Sequence, residues 1–280
     1  MSQTPLADRL AVCSWSLHPA DPAELIRQMQ QLEMDKIQLG LDPLRAEEEW
    51  AGAGAQLAEA GLKVVSGMFG CEGEDYSTLE SIRRTGGIVP DETWATNWQN
   101  IQKTVPIAQS LGLKLVSFHA GFLPEERSDP AYGKLVDRLT QIAGAFAAEG
   151  IDLAFETGQE DAATLKGFLD RLALPNLGVN FDPANMILYA KGDPVESVKI
   201  LMGYLKQVHV KDAVKTATPG EWGQEVIVGT GEVDWEAFFA ALEAGGFTGC
   251  LAIEREAGDD RVADIKAAKD FVLKTVGKAG

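Results

Sequence analysis

Cysteine is scarce in this sequence. Cys13, Cys71 and Cys250 are the three cysteines, and they are widely separated along the chain. An odd number of distant cysteines disfavours both a disulfide framework and a cysteine-based zinc site. We therefore expect reduced thiols that pack in the core or line a pocket.

Basic residues are also few. The chain has 25 Lys and Arg against 42 Asp and Glu, which gives a formal net charge of −17. Proteins bind nucleic acid through clusters of Lys and Arg that neutralise phosphates. The charge balance therefore argues against a nucleic-acid partner.

Long hydrophobic runs are missing. No run approaches the roughly 18 apolar residues that a membrane span needs, and the opening MSQTPLADRL lacks the basic start and apolar core of a signal peptide. We expect a soluble, cytoplasmic protein with no membrane partner. The sequence also lacks the glycine-rich fingerprints G-x-G-x-x-G and G-x-x-x-x-G-K-[ST], which disfavours an open nucleotide-binding sheet.

An alternation of strand and helix patterns runs through the chain. Eight short apolar segments read as buried strands, at residues 10–17, 36–41, 62–69, 113–120, 151–157, 177–183, 207–212 and 249–256. Helical periodicity marks residues 22–34, 93–112, 132–150, 194–205 and 234–246. The longest irregular stretches, 70–92 and 213–233, are predicted to be loops on the side where the strands end.

This alternation predicts the fold class. Continuous apolar strands that are each followed by a helix indicate a parallel sheet covered by helices. Eight such units in 280 residues match an α/β fold of the (β/α)8 TIM-barrel type. We predict one barrel domain over residues 1–280, with a doubly wound open sheet as the rival.

Ionisable residues stand at the ends of the last five predicted strands. They are His119, Glu156, Asp182, His209, Lys211 and Glu254. The active site of a TIM barrel collects at the carboxyl ends of the strands. Strand alternation also allows all of these side chains to point inward while the aliphatic residues between them point towards the helices.

Three of these residues are carboxylates that would repel one another inside a barrel. A divalent cation between Glu156, Asp182 and Glu254 would offset that repulsion. With the imidazole of His209 they form a donor set suited to one divalent metal ion, with Mn²⁺ as first choice and Mg²⁺, Co²⁺, Fe²⁺ or Zn²⁺ as alternatives.

Each residue also has an ordinary structural explanation. Asp182 before Pro183 can form a turn or cap a helix, Glu156 can cap the next helix, and Glu254 can be a solvated surface charge. Either histidine can be a core residue with satisfied hydrogen bonds. Because these residues lie at the ends of consecutive strands, we favour one shared site over a separate explanation for each residue.

Further residues near the strand ends are candidates for substrate binding, namely His119, Lys211, Asn185, Glu160 and Trp15. Lys211 can stabilise a developing oxyanion or pair with an acid, and Asn185 can bond hydroxyls or cap a helix. Glu160 can support a metal ligand or sit at a helix start. Trp15 and the nearby His18 can face the barrel mouth or simply pack.

Five segments together resemble the sugar phosphate isomerase/epimerase superfamily of xylose-isomerase-like TIM barrels. They are FETGQE, NFDPANMILYAKGDP, HVKDA, GTGEVDW and IERE. The resemblance implies one divalent metal held by Glu156, Asp182, His209 and Glu254. In the ketose 3-epimerase branch it implies Glu156 and Glu254 as the acid/base pair.

That branch usually carries a histidine shortly after the aspartate and an arginine after the metal-binding histidine. This chain has Asn185 at the first position, and Lys211 and Lys215 near the second. These positions contact substrate hydroxyls in the branch. The resemblance therefore supports the metal and proton chemistry better than it supports a ketohexose substrate.

The expected function is a metal-dependent isomerase or epimerase that moves a proton next to a sugar carbonyl through a cis-enediolate. One alternative is a lyase or dehydratase acting on inososes or 3-keto-glycosides, and another is a binding protein that has lost catalysis. An endonuclease IV-like apurinic endonuclease is disfavoured by the three histidines and the charge of −17. The expected partner is a small carbohydrate, and a homodimer stays open because such barrels often dimerise.

Overall fold

The computed structural model describes residues 4–124, 128–218 and 220–276. These residues contain ten strands: β1 (Leu10–Cys13), β2 (Lys36–Gly40), β3 (Lys63–Met68), β4 (Leu115–Phe118), β5 (Asp152–Glu156), β6 (Leu177–Phe181), β7 (Leu205–Val210), β8 (Asp212–Val214), β9 (Gln224–Val226) and β10 (Cys250–Ile253). Eight of them form a closed parallel barrel in the order β1-β10-β7-β6-β5-β4-β3-β2. Strands β8 and β9 form a separate antiparallel hairpin.

Helices connect and cover the strands. They are α1 (Pro22–Leu32), α2 (Asp42–Ala46), α3 (Ala53–Glu59), α4 (Leu79–Thr85), α5 (Asp91–Ser110), α6 (Pro130–Ala147), α7 (Ala162–Leu172), α8 (Pro183–Leu188), α9 (Pro194–Leu201), α10 (Trp235–Ala244) and α11 (Arg261–Val276). Several begin at an aspartate whose carboxylate accepts a hydrogen bond from the first turn, as Asp21 does for α1 and Asp161 for α7. No helix within the described ranges is both long and apolar enough to cross a membrane.

The interior of the barrel carries a buried polar layer. Ser66 Oγ donates to Gln207 Oε1 at 2.6 Å, and Gln207 Nε2 donates to Asn180 Oδ1 at 3.3 Å. Gln38 Nε2 donates to Ser117 Oγ at 2.9 Å. These bonds pair buried polar groups that would otherwise be costly, and they hold the strands together beneath the carboxyl ends.

The predicted (β/α)8 barrel is confirmed, but the first predicted strand is wrong at its end. β1 stops at Cys13, and residues 14–17 form a short 3₁₀ helix. Ser14 Oγ accepts a hydrogen bond from the Gly40 amide at 2.9 Å. The chain then reverses at His18, whose φ is 47°. This side-chain bond to the neighbouring strand ends the β ladder early.

The two predicted loops are partly structured. Within 70–92, Thr78 and Ser81 form a reciprocal capping box that starts α4, and α5 begins at Asp91. Within 213–233, β9 pairs back on β8. The prediction of irregular loops was therefore wrong for parts of these segments, and no bounds were predicted for helices α2, α3, α7, α8 and α11.

Candidate metal centre

Four side chains meet at the carboxyl end of the barrel, and we call them the four-residue cluster: Glu156, Asp182, His209 and Glu254. Glu156 and His209 lie on β5 and β7, and Asp182 and Glu254 directly follow β6 and β10. These four strands are consecutive around the barrel. One potential ligand atom from each lies within 4.8 Å of all the others. All four residues are buried, so the residues that the sequence predicted as metal ligands do converge.

His209 Nδ1 is central to the four-residue cluster. It lies 3.2 Å from Glu254 Oε2, 3.4 Å from Glu156 Oε1 and 3.8 Å from Asp182 Oδ2. Carboxylates from strands on both sides of β7 therefore face a single imidazole nitrogen.

Asp182 has two roles, one for each carboxylate oxygen. Its Oδ1 caps α8 by accepting a hydrogen bond from the Asn185 amide at 3.0 Å. Its Oδ2 faces His209 and has no hydrogen-bond partner among the described residues. Asp182 therefore caps a helix with one oxygen and takes part in the shared site with the other.

Three atoms of the four-residue cluster are shielded from solvent and lack hydrogen-bond partners in the described part of the chain: Glu156 Oε2, Asp182 Oδ2 and His209 Nδ1. Unpaired buried carboxylate oxygens are costly unless a cation or donor meets them. Three carboxylates with one imidazole are a donor set that Mn²⁺ and Mg²⁺ accept. The residues present therefore fit one divalent metal ion.

The imidazole of His209 is oriented from below by Gln38. Gln38 Oε1 lies 2.9 Å from His209 Nε2, and Gln38 Nε2 donates to Ser117. The accepting oxygen favours a hydrogen on His209 Nε2, which Asn180 Nδ2 also approaches to 2.9 Å. In the neutral ring that binds a metal, this arrangement leaves the Nδ1 lone pair facing the carboxylates. Without a metal, burial lowers the pKa of His209, but the surrounding acids outweigh burial and raise the pKa well above its usual value, so the ring is charged.

Gln38 was missed by reasoning from the sequence. It is fully buried in the middle of β2, between the apolar residues Ile37 and Leu39. A polar residue inside an otherwise apolar predicted strand was the available signal, because its side chain has to find a partner inside the barrel.

Glu254 is held by two donors. Trp15 Nε1 donates to its Oε1 at 2.7 Å, and Lys211 Nζ donates to its Oε2 at 3.0 Å. Burial raises the pKa of Glu254, but the charges of His209 and Lys211 outweigh burial and lower the pKa well below its usual value. Glu254 is therefore ionised at neutral pH.

Glu156 is ionised for a similar reason. Burial raises its pKa, and the neighbouring charges of His119 and His209 more than offset this, so the pKa falls below its usual value. His119 Nε2 lies 3.5 Å from Glu156 Oε2. Asn185 Nδ2 donates to Glu156 Oε1 at 3.0 Å.

Lys211 lies among acids. Besides Glu254 it contacts Glu256, and its Nζ is 3.7 Å from Asp182 Oδ2. Burial lowers the pKa of Lys211, but these acids outweigh burial and raise the pKa well above its usual value. Glu256 was not singled out from the sequence, although it lies two residues after Glu254.

Four of the five predicted substrate-binding residues line the cavity over the four-residue cluster: His119, Lys211, Asn185 and Trp15. His18 also lines it. The fifth, Glu160, is not among the described lining residues. A substrate-binding role for Glu160 remains a prediction.

The cavity measures about 750 Å³ and opens at the barrel mouth. Aromatic side chains form much of its wall: Trp15, Trp50, Tyr76, Tyr189 and Trp222. The cavity therefore has a buried anionic floor at the four-residue cluster and largely aromatic walls.

Comparison with known proteins gives consistent matches. A sequence profile of the family described as "Xylose isomerase-like TIM barrel" matches residues 23–275. The crystal structure of a xylose isomerase domain protein from Planctomyces limnophilus is 34% identical, with a TM-score of 0.83 over 91% of this chain and 92% of that one. A xylose isomerase-like TIM barrel protein from Mycobacterium smegmatis, solved in complex with magnesium, is 19% identical with a TM-score of 0.70 over 94% of this chain and 91% of that one.

Curated relatives are more distant. The L-ribulose-5-phosphate 3-epimerase UlaE of Escherichia coli is 25% identical over 202 residues, which are 69% of each chain. The uncharacterized protein YihM of Escherichia coli K12 is 24% identical over 165 residues, or 58% of this chain. The match covers half (50%) of the length of YihM.

Proposed function

This chain belongs to the xylose isomerase-like TIM barrel family, and from that premise we propose that it is a divalent-metal-dependent isomerase or epimerase acting on a ketose or a related sugar derivative. The observation that carries the proposal is the four-residue cluster, whose ligand atoms lie within 4.8 Å of one another. The similarity to a sugar phosphate epimerase supports carbohydrate chemistry. We propose Mn²⁺ as the native metal, and a cytoplasmic homodimer as the working form.

The proposed chemistry divides between the metal and two carboxylates. When bound, a divalent cation polarises a sugar carbonyl and its neighbouring hydroxyl. This makes the proton on the hydroxyl-bearing carbon next to the carbonyl more acidic. Glu156 and Glu254 are both ionised, and they stand on strands separated by β6 and β7. One carboxylate then removes the proton, and the other, after taking up a proton from solvent, delivers it from a different side. The first carboxylate releases its proton to solvent, so the stereocentre is inverted or relocated with no net change in protons.

Neighbouring residues prepare this pair. Asn185 orients Glu156, and Trp15 and Lys211 orient Glu254. The positive charge of Lys211 beside the base also offsets the negative charge that develops on the substrate oxygens. These contacts give each carboxylate a fixed direction before substrate arrives.

The test combines metal analysis of the purified protein with proton exchange. Ketoses, inososes and oxidised glycosides are incubated with the metal-loaded protein in D₂O and followed by NMR and mass spectrometry. Deuterium uptake into a product of otherwise unchanged formula supports an isomerase. Loss of water or an aglycone would instead identify a lyase, and no exchange with any sugar would contradict the proposal.

A further inference from the structure

The cavity above the four-residue cluster is larger than one sugar ring needs. A six-carbon ring sugar has about twelve non-hydrogen atoms and fills on the order of 200 Å³, given that one water molecule takes up about 30 Å³ of the liquid. The cavity measures about 750 Å³. A monosaccharide held at the buried end therefore leaves room for at least one more group of similar size.

The walls of that extra space are aromatic. Tyr76 lies at the mouth with 43% of its surface exposed, and its ring centroid is 6.2 Å from that of His119. The rings of Tyr189 and Trp222 pack edge to face with centroids 4.7 Å apart. Flat apolar rings beside an open cavity suit the C–H faces of a sugar ring or an apolar aglycone.

Cations that could bind a phosphate are already engaged. Lys211 contacts Glu254 and Glu256. Arg261 donates to the backbone carbonyl oxygens of Arg255, Glu256 and Gly258. A phosphate group normally needs free Arg, Lys or backbone donors.

The other charges of the lining largely compensate one another. Three lining acids form ion pairs, namely Asp42 with Arg45, Glu225 with Arg255 and Glu256 with Lys211. Glu74 and Arg261, one of each sign, line the cavity without an ion-pair partner within the described residues. The outer cavity therefore has no excess of positive charge that would attract an anionic substituent.

We propose that the substrate is an uncharged sugar carrying a second ring or an aglycone of similar size, rather than a sugar phosphate. The inference rests on the proposed function for the reacting end of the substrate. It separates this chain from its relative named for L-ribulose 5-phosphate. The second group occupies the aromatic outer cavity, with Tyr76 as a specificity-determining residue.

A matched series of ketoses tests this by binding alone. D-Fructose, D-fructose 6-phosphate, isomaltulose and lactulose share one fructose unit and differ in carrying nothing, a phosphate, or a second ring at O6 or O4. Each is titrated into the Mn²⁺-loaded protein by calorimetry at constant ionic strength. We expect at least one disaccharide to bind about tenfold or more tighter than fructose, and fructose 6-phosphate to bind no tighter than fructose.

Tyr76→Ala identifies the surface responsible. It should lower the affinity for the better disaccharide by more than it lowers that for fructose. Ile200→Ala, which also removes an exposed apolar side chain but lies on α9 outside the lining, should leave both affinities unchanged. Equal losses for disaccharide and fructose in Tyr76→Ala would overturn the role of Tyr76.

Two results would overturn the substrate inference: fructose 6-phosphate binding tighter than fructose, or neither disaccharide binding tighter than fructose. These results are independent of turnover. Deuterium exchange into any ketose without a preference for disaccharides rejects the substrate class but keeps the proposed isomerase. Tight disaccharide binding without exchange of any sugar supports the substrate class but contradicts the proposed isomerase.

Discussion

At the scale of single residues, each carboxylate of the four-residue cluster is held by another side chain or by the backbone. Asp182 gives one oxygen to the start of α8, Glu156 is held by Asn185, and Glu254 is held by Trp15. These contacts determine which oxygen faces His209. Conservative substitutions can therefore separate charge from position.

The first prediction concerns the proposed acid/base pair. Glu156→Gln and Glu254→Gln keep the size of each side chain but remove the carboxylate that accepts a proton, so turnover should fall about 1,000-fold or more in each. Glu59→Gln, an exposed residue on α3, is the control. Activity within about tenfold of the original in both variants would rule out the assignment.

The second prediction concerns Gln38. Gln38→Leu removes the acceptor that fixes the His209 tautomer, and it should weaken Mn²⁺ binding about 10- to 100-fold. Calorimetric titration with metal measures the change. Gln207→Leu is the matched control, because Gln207 is equally buried but bonds Ser66 and Asn180 rather than His209. An equal loss of affinity in both variants would contradict a direct role for Gln38.

The third prediction concerns Glu160, whose Oε2 is shielded from solvent without a hydrogen-bond partner in the described residues. Burial raises its pKa to about 8. Its contribution to stability is therefore complete below the pKa of the unfolded chain, near 4.5, and is lost as the pH rises towards 8. Glu160→Gln stays neutral, so it should match the original protein at pH 4 and be more stable at pH 8.5.

Urea unfolding at the two pH values measures this difference. We expect a gain on the order of 2 kcal/mol at pH 8.5, less than the full shift implies because Glu160 as a whole is only half-buried. A variant of unchanged stability at both pH values would show that the carboxylate reaches solvent in solution.

At the scale of elements, the carboxylate of Asp212 at the start of β8 organises the segment that leads into α10. It accepts hydrogen bonds from the backbone amides of Gly229, Gly231 and Val233, and from Trp235 Nε1. In this irregular segment, one buried carboxylate thus accepts the amide hydrogen bonds that a neighbouring strand would accept in a sheet. The same connection carries Trp222 to the cavity wall.

The fourth prediction follows from this arrangement. Asp212→Ala leaves several buried donors without an acceptor and should destabilise the protein by about 3 kcal/mol or more. Hydrogen exchange should quicken at Gly229, Gly231 and Val233 before it quickens in the barrel. Asp234→Asn keeps the cap of α10 and should change little. Unchanged exchange at those three amides would contradict the role of Asp212.

Regular elements were predictable from the sequence because their signals are local. The eight barrel strands follow from apolar runs, and the four-residue cluster follows from polar residues at their ends. The start of α4 and the β8–β9 hairpin depend on capping and on side-chain bonds to distant residues, which no periodicity reveals. The roles of Gln38 and Glu256 could not be predicted from local patterns either, because their hydrogen-bond partners, His209 and Lys211, lie far away in the sequence.

At the scale of the whole molecule, a cation in the four-residue cluster would join four adjacent strands. The fifth prediction is that Mn²⁺ raises the melting temperature, with a stabilisation of about 4 kcal/mol when the metal concentration is roughly 1,000 times its dissociation constant. Asp182→Asn keeps the α8 cap but loses one anionic ligand, so its melting temperature should respond far less. An equal response in both proteins would place the metal elsewhere.

The pairing of β1 with β10 has a consequence for biosynthesis. Glu254 directly follows β10, the strand that joins the two ends of the sheet, and ribosomes make this strand last of the eight. A nascent chain that still lacks it has only three of the four donors and two unpaired sheet edges. The proposed metal site can therefore form in full only once the ring is complete, so a chain that lacks β10 would be unable to carry out the proposed reaction.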